Sequence, residues 1–377
     1  MSIYLDYNAT APVRPEARAA MLAALDIGAN ASSVHASGRA ARALIEAARE
    51  DVAALVGGDA ERLVFTSGGA EANTLAVTSA ALAGAKRLII GATEHASVVE
   101  AAKATGMPIE PLPVNADGVS DLAWLTARLQ AWDAADGAPF VALMMANNET
   151  GVIQPIAEVA ALVHAAGGRL HVDAVAAAGK IAIDMVALGA DTLALSAHKL
   201  GSAQGSGALL YGEGVALTRQ IHGGGHERGF RAGTENLAGI AGFGAAAKVC
   251  AAALTQASEG RDAAAARLAA AGAVVLGAGA PRTAGVLCLA AVGFPAHLQV
   301  MAMDLEGVMI SAGSACSSGK VKPSGVLQAM GREDLAPFSI RASGGWGTTA
   351  EDWARFADLW LAAHARHAAR HPIKELA

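Results

Sequence analysis

The fold of this chain is decided by the stretch Asp191–Tyr211, which reads DTLALSAHKLGSAQGSGALLY. Its two apolar runs, Thr192–Leu195 and Ala208–Tyr211, are typical of short strands, and a turn rich in Gly and Ser joins them. The turn contains Lys199. Most lysines lie on the surface, but the apolar run that precedes Lys199 should be buried. We therefore predict that Lys199 follows a buried strand and has a function there.

Strands and helices alternate on the amino-terminal side of this stretch. A polar loop, Asn30–Gly38, precedes a helix predicted at Arg39–Val56. The further predicted strands are Leu63–Thr66, Arg87–Gly91, Ile109–Leu112, Phe140–Met145 and Arg169–Val172. Because helical segments lie between most of these strands, we expect an α/β fold with a mostly parallel sheet of the seven-stranded type and helices on both faces. Ligands of such sheets bind at the carboxyl ends of the strands.

The chain is long enough for two domains, since its 377 residues exceed the roughly 250–300 at which a single core stops growing. After a long alanine-rich helix, Glu235–Ala257, the composition shifts near Gly260–Ala271, and we place the domain boundary there. The second domain is expected to be a smaller α+β unit. Its predicted strands are Val274–Leu276, Gly285–Ala290 and Ser339–Arg341, and its predicted helices are Ala296–Leu305 and Thr349–Ala369.

Composition argues against several classes of function. The net charge of −6 disfavours a nucleic-acid surface. The amino-terminal arm MSIYLDYNATAP has neither the basic start nor the apolar core of an export signal, and no run of 18 apolar residues lacks Gly or charge. Three cysteines without a CxxC pair fit a reducing compartment. We expect a cytoplasmic enzyme without a membrane or nucleic-acid partner.

A second charged residue stands at a predicted strand end. Asp173 follows the strand Arg169–Val172, 26 residues before Lys199. A lysine and an aspartate at the ends of neighbouring strands suit pyridoxal 5'-phosphate, because the amine binds it covalently and the carboxylate keeps its ring nitrogen protonated. The turn Ser67–Glu71, SGGAE, opens a helix whose free amides can bind the phosphate. The sequence therefore predicts this cofactor.

Longer motifs carry a resemblance to a known family. HVDAVAAAGK, SAHKL, HGGGHERGFRAGTEN and SAGSACSSG follow one another along the chain. Together they resemble the cysteine desulfurases of the NifS/IscS kind, which are class V, fold type I pyridoxal-phosphate enzymes. The resemblance runs from Tyr4 to about Glu351. It implies a large cofactor-binding domain over residues 14–258 and a small domain formed by residues 1–13 and 259–377.

The resemblance also implies roles for the matching residues. Lys199, Cys316 and His95 are expected to be catalytic, and His95 is expected to stack on the cofactor ring and move protons. The residues expected to bind the cofactor are Gly69, Ala70, His95, Asn148, Asp173, Ser196, His198, Lys199 and Thr234. Asn148 and Arg341 are expected to bind the substrate, the guanidinium by clamping its carboxylate. Thr234 would reach the phosphate of the partner subunit in a homodimer.

The three cysteines differ in their surroundings. Cys250 and Cys288 lie in apolar runs typical of a core, whereas Cys316 lies among Ser, Gly and Lys, typical of an exposed loop in which cations favour the thiolate. The resemblance makes Cys316 the sulfur acceptor and a possible transient ligand of an iron–sulfur cluster. The loop His222–Arg228 contains two histidines, but it lacks the HExxH spacing and an evident third ligand, so we predict no intrinsic metal site.

The predicted activity converts L-cysteine to L-alanine, with transfer of sulfur to Cys316 as a persulfide and then to an acceptor protein such as an iron–sulfur scaffold or a thiolation relay. Two departures from the family pattern leave alternatives open: Ala70 replaces a threonine and Ala176 replaces a glutamine. A selenocysteine lyase or another class V aminotransferase would share Lys199 and Asp173. A degenerate scaffold would keep the fold and bind partners without turnover.

Overall fold

The computed structural model describes residues 2–252, 258–312 and 324–371. Its strands are β1 (Ile3–Tyr4), β2 (Leu63–Thr66), β3 (Leu88–Gly91), β4 (Ile109–Leu112), β5 (Phe140–Met144), β6 (Arg169–Asp173), β7 (Thr192–Ser196), β8 (Gly207–Tyr211), β9 (Val274–Val275), β10 (Val286–Ala290), β11 (Val308–Met309), β12 (Ser311–Ala312) and β13 (Ser339–Ser343). Its α-helices are α1 (Pro15–Ile27), α2 (Ala36–Leu55), α3 (Gly69–Thr78), α4 (Ala96–Ala104), α5 (Leu122–Gln130), α6 (Ile156–Ala165), α7 (Ala197–Leu200), α8 (Leu237–Ala252), α9 (Glu259–Ala270), α10 (Ala296–Leu305), α11 (Gly325–Ala329) and α12 (Ala350–Arg370).

The large sheet has seven strands in the order β2-β8-β7-β6-β5-β3-β4. The five strands from β7 to β4 are parallel, while β8 runs antiparallel to both β2 and β7. The central strands β5 and β7 are buried along their whole length, as expected of strands covered on both faces. The prediction of an α/β fold with a mostly parallel, seven-stranded sheet is confirmed.

Helices cover both faces of this sheet. Val141 and Leu143 of β5 pack into a hydrophobic cluster that includes Val159 of α6. The alternate residues Phe140 and Ala142 pack into a separate cluster with Val98 of α4. Since successive side chains of a strand point to opposite faces, the two clusters are the two layers of the core.

A smaller antiparallel sheet, in the order β12-β13-β10-β9, lies in the carboxyl-terminal part of the chain. Its core contains Phe356 and Trp360 of α12, and Leu5 of the amino-terminal arm packs into the same cluster. The strand β1 of the arm pairs in parallel with β11. The domain boundaries remain a prediction, which this packing of the arm favours.

Most predicted elements are observed with shifts of one or two residues at their ends. The helix predicted from Arg39 begins earlier, at Ala36, because the ring of His35 caps it by accepting a hydrogen bond from the amide of Gly38 at 3.2 Å. The turn after β7 contains a short helix, α7, rather than irregular chain. The end of the predicted helix Glu235–Ala257 lies outside the described residues. Among the residues that are described, no helix is long and apolar enough to cross a membrane.

Candidate active site

Lys199 and Asp173 lie at the carboxyl ends of neighbouring parallel strands. Asp173 is the last residue of β6 and pairs in register with Ala194 of β7. Lys199 follows β7 within α7. The strand register therefore brings a carboxylate and an amine to the edge of the sheet where ligands of α/β proteins bind.

The carboxylate of Asp173 is buried, with 4% of the residue exposed. It accepts hydrogen bonds from the amide of Val175 at 2.9 Å and from Nδ2 of Asn73 at 2.8 Å. Burial raises the pKa of Asp173 above its ordinary value, and these two hydrogen bonds only partly oppose that shift. None of the described cations forms a salt bridge with it, so a cationic ring nitrogen is the partner that its surroundings lack.

The amine of Lys199 is tied to the amino-terminal arm. Its Nζ donates to the main-chain oxygens of Asn8 and Ala9, the latter at 3.0 Å. Burial, helped by the nearby charge of Arg341, lowers the pKa of Lys199 to about 8, although Asp6 and Asp173 act in the opposite direction. An amine with such a pKa is partly neutral near pH 7–8, which a nucleophile or base requires.

Gly69 and Ser196, two of the residues predicted to bind the cofactor, meet at the start of α3. A Cβ atom built on Gly69 would lie 2.7 Å from Cγ2 of Val175 and 3.5 Å from Cβ of Ser196, so this helix begins against the end of β7. The first amides of a helix have no acceptor within it, and they point outward here with the positive end of the helix dipole. Ala70, in the first turn, is exposed.

His198 directly precedes Lys199 within α7. Its Nδ1 is 2.7 Å from Oγ1 of Thr10, and burial lowers the pKa of His198 to about 4, so its ring is neutral at physiological pH. Ala176, which replaces the glutamine of the family pattern, is buried and supplies no polar atom to the site. Free helix amides, a partly neutral amine and a buried carboxylate without a cation together fit pyridoxal 5'-phosphate.

His95 follows β3 and caps α4. Its Nδ1 accepts from the amide of Ser97 at 3.1 Å and lies 2.8 Å from Oγ of the same serine. Asn148 follows β5, and its main-chain oxygen accepts from Nδ2 of Asn8 at 2.9 Å. The side chain of Asn148 makes no hydrogen bond within the described part of the chain, so it is available to a ligand.

Arg341 reaches the site from the small sheet. The residue is buried, and its Nη2 donates to Oδ1 of Asp6 at 2.8 Å while Nη1 donates to the main-chain oxygen of Asn148 at 3.2 Å. Its Nε has no partner among the residues described. The guanidinium thus stands between the two sheets with donor capacity left for a carboxylate.

Sequence reasoning missed three residues of this site: Asp6, Asn8 and Lys180. Oδ1 of Asn8 accepts from Nζ of Lys180 at 2.6 Å, and its main-chain oxygen accepts from Lys199. Burial first, and then the charges of Lys199 and Arg341, lower the pKa of Lys180 to about 7. The signal for Lys180 was a lysine ending the otherwise apolar run AVAAAGK, and for the arm it was the polar DYN between apolar neighbours.

Thr234 is exposed and lines a cavity of about 110 Å³ together with Ser67 and Arg231. Nε of Arg231 donates to Oε1 of Glu71 at 3.1 Å, and Oε2 of Glu71 accepts from the amide of Ser67 at 2.7 Å. These contacts join the glycine-rich loop, residues 222–234, to the start of α3.

The cysteines divide as expected where they can be compared. Cys250 and Cys288 are free and buried, and burial raises the pKa of Cys288 to about 12, which makes it unreactive as a nucleophile. Cys316 lies outside the described residues. No group of three or more His, Cys, Asp or Glu side chains suited to a metal occurs in residues 2–252, 258–312 and 324–371.

Comparisons with known proteins identify the family of this chain. The family model for aminotransferase class-V matches residues 3–356. A relative from Anaeromyxobacter sp. (strain Fw109-5), named cysteine desulfurase IscS, is 42% identical over 374 residues, which cover 93% of this chain and 89% of the relative. The solved structure of a NifS-like protein from Rickettsia africae ESF-5 is 30% identical with a TM-score of 0.88 and covers 97% of this chain and 100% of that chain.

A further solved structure, described as SspA in complex with cysteine, is 26% identical with a TM-score of 0.77 and covers 91% of this chain and 98% of that chain. The match to the family model extends over both sheets, from the arm to α12. The chain therefore belongs to the class V aminotransferase family and, within it, to the cysteine desulfurases.

Proposed function

We propose that the protein is a pyridoxal-phosphate-dependent cysteine desulfurase that converts L-cysteine to L-alanine and passes the sulfur to Cys316. One observation carries the proposal: the buried carboxylate of Asp173, which has no cationic partner among the described residues, stands at the end of the strand next to the one that leads to Lys199. A carboxylate and an amine in this relation suit the ring nitrogen and the aldehyde of one cofactor molecule.

The residues that would hold the cofactor are Gly69, Ala70, His95, Asn148, Asp173, Ser196, His198 and Lys199. When bound, pyridoxal phosphate withdraws electrons from the amino acid attached to it and so weakens the bonds at its α and β carbons. Asp173 supplies the negative charge that keeps the ring nitrogen protonated. Amides of Gly69 and Ala70, with the hydroxyl of Ser196, supply donors for the phosphate.

Substrate and protons are handled by separate side chains. Arg341 binds the carboxylate of cysteine through donors that Asp6 leaves free, and the amide of Asn148 turns toward the same ligand. Lys199, with a pKa lowered to about 8 by burial, takes and returns the proton at the α carbon. The thiolate of Cys316 attacks the substrate sulfur, the Cβ–S bond breaks, and Cβ takes up a proton to give alanine and a persulfide.

We also propose an oligomeric state for the protein and a class of acceptor for its sulfur. We expect a homodimer in which Thr234, exposed beside the cavity at Ser67, completes the phosphate site of the partner subunit. Light scattering should give about twice the chain mass of 37.6 kDa. The acceptor of the persulfide would be a protein of iron–sulfur assembly or thiolation. The free thiols Cys250 and Cys288 support a cytoplasmic location, where thiols stay reduced.

The test is to incubate the purified holoenzyme with L-cysteine and to measure alanine together with the mass of alkylated Cys316 peptides. Wild-type protein should form alanine and carry one extra sulfur on Cys316. Cys316→Ala should keep the cofactor but form no appreciable alanine, whereas the control Cys250→Ala, which alters a core thiol, should retain activity. Alanine formation by Cys316→Ala at the wild-type rate would indicate direct elimination, as in a selenocysteine lyase, and a colourless protein would indicate a scaffold.

A further inference from the structure

A continuous set of hydrogen bonds lies behind Asp173 and His95. Nδ2 of Asn73 contacts both Oδ2 of Asp173 at 2.8 Å and Oγ of Ser97 at 2.9 Å. Oδ1 of Asn73 lies 3.0 Å from Nε2 of His171. Oγ and the amide of Ser97 both contact Nδ1 of His95, at 2.8 and 3.1 Å. The set therefore joins the two side chains that flank the proposed cofactor site.

The chemistry of these groups decides which of them donates. The carboxylate of Asp173 only accepts, so the atom of Asn73 that faces it is the amide nitrogen, whose second hydrogen goes to Ser97. The amide oxygen of Asn73 then accepts from Nε2 of His171, which is fully buried and neutral, since burial lowers the pKa of His171 to about 3. Nδ1 of His171 in turn lies 2.9 Å from the hydroxyl of Thr192.

The same assignment of hydrogen-bond donors and acceptors extends to His95. Because Oγ of Ser97 accepts from Asn73, its own hydrogen is free to donate to the ring nitrogen Nδ1 of His95. The amide of Ser97 donates to that nitrogen as well. With two donors directed at Nδ1, a neutral His95 carries its hydrogen on Nε2.

We infer that Ser97 and Asn73 are positioning residues that hold neutral His95 with its hydrogen on Nε2, so that His95 offers a hydrogen-bond donor and not a basic nitrogen to the substrate. The group it would meet is an acceptor such as the sulfur of a thiolate or an oxygen of the cofactor. The inference rests on the proposed function for that ligand. Proton removal is then left to Lys199, and the two side chains divide the work.

Helix capping alone does not account for the arrangement. A cap needs only the bond from the amide of Ser97 to the ring of His95. The hydroxyl of Ser97 adds a second donor to the same nitrogen, and its orientation is set by Asn73, a buried residue of a different helix. The hydroxyl is therefore the part of the network that an experiment can remove without removing the cap.

The test uses holoenzyme labelled with ¹⁵N-histidine, in which the signals of His95 are assigned by their loss in His95→Gln. Wild-type His95 should have Nε2 protonated and Nδ1 unprotonated. In Ser97→Ala the form protonated on Nδ1 should increase, and kcat for cysteine should fall roughly two- to twelvefold, the range for one lost neutral hydrogen bond. Ser97→Thr keeps the hydroxyl and should restore both. The control Thr105→Ala removes a hydroxyl at the other end of α4 and should change neither.

Three results would overturn the inference: protonation of Nδ1 in the wild type, no change of tautomer or kcat in Ser97→Ala, or a lower kcat with an unchanged tautomer. The last result would make Ser97 merely structural. The tautomer is read without substrate, so a protein that failed to desulfurise cysteine would refute the proposed function and still leave this measurement interpretable.

Discussion

Asp173 and Glu227 are carboxylates of equal burial, each with 4% of the residue exposed, but their partners differ. Glu227 accepts two hydrogen bonds from the guanidinium of Arg49, at 2.7 and 2.9 Å, and one from the amide of Phe65 at 2.7 Å. Asp173 accepts only from neutral donors. One buried charge is compensated by an ion pair within the chain, and the other has no cation in salt-bridge contact among the described residues.

Because their partners differ, Glu227 has a structural role and Asp173 is a candidate for a chemical one. The pair of Arg49 and Glu227 connects α2 and β2 to the glycine-rich loop, where Glu227 and Arg228 have φ angles of 43° and 55°. Such backbone angles persist in residues other than glycine only when surrounding contacts hold them. A compensated charge of this kind fixes a loop, whereas an uncompensated carboxylate beside a lysine of lowered pKa marks a site that binds a cation.

The largest effect is expected from Glu227→Gln, because it removes the buried counter-charge of Arg49 and leaves its guanidinium with the partly exposed carboxylate of Glu46 at 3.0 Å. The free energy of unfolding should fall by about 3–5 kcal/mol. Urea denaturation followed by circular dichroism measures it. The matched control is Glu61→Gln, which breaks the exposed pair with Arg228 and should cost at most about 1 kcal/mol. Equal losses in the two variants would show that Glu227 is no better compensated than a surface charge.

The next effect is expected from Asp173→Asn, which keeps the size of the side chain and removes its charge. Alanine formation should fall by about 10²–10³-fold, the range found when one group that stabilises developing charge is lost. In the protein without cofactor the free energy of unfolding should not fall, because there the variant removes an uncompensated buried charge. An assay of alanine and a urea denaturation curve measure the two quantities. Near-normal turnover, or a loss of stability like that of Glu227→Gln, would contradict the different roles assigned to Asp173 and Glu227.

The effect that is smallest at neutral pH concerns His171, which supports Asp173 through Asn73. Its pKa is about 3 in the folded protein and about 6.5 in an unfolded chain, because burial disfavours the charged ring. Between these values the unfolded chain binds the additional proton, so the free energy of unfolding falls as pH decreases from 6.5 to 3, by up to about 1.4 kcal/mol per pH unit. Urea midpoints measured from pH 7 to pH 4 should show a shallower slope in His171→Gln. An unchanged slope would mean that His171 does not stay neutral when the protein folds.

Much of the large domain could be predicted because its strands carry their own signal. The run FVALM is apolar throughout and TLALS is apolar between Thr192 and Ser196, and the alternation of such runs with helices implied a parallel sheet. Asp173 and Lys199 were singled out because Asp173 directly follows the run Arg169–Val172 and Lys199 lies in the turn that follows Thr192–Leu195. The start of α2 was misplaced, since the ring of His35 acted as a cap that residue type alone does not indicate.

The class of fold, the strand ends at which we propose that the cofactor binds, and the core positions of Cys250 and Cys288 follow from the sequence alone, because local hydrophobic pattern and motifs of adjacent residues indicate them. Two hydrogen bonds became evident only in the folded chain: Asn8 contacts Lys180, 172 residues away in sequence, and Asp6 contacts Arg341, 335 residues away. These contacts form where the arm and the small sheet pack against the strand ends. No local pattern records them, since their energy depends on burial and on partners that only the folded chain brings within hydrogen-bonding distance.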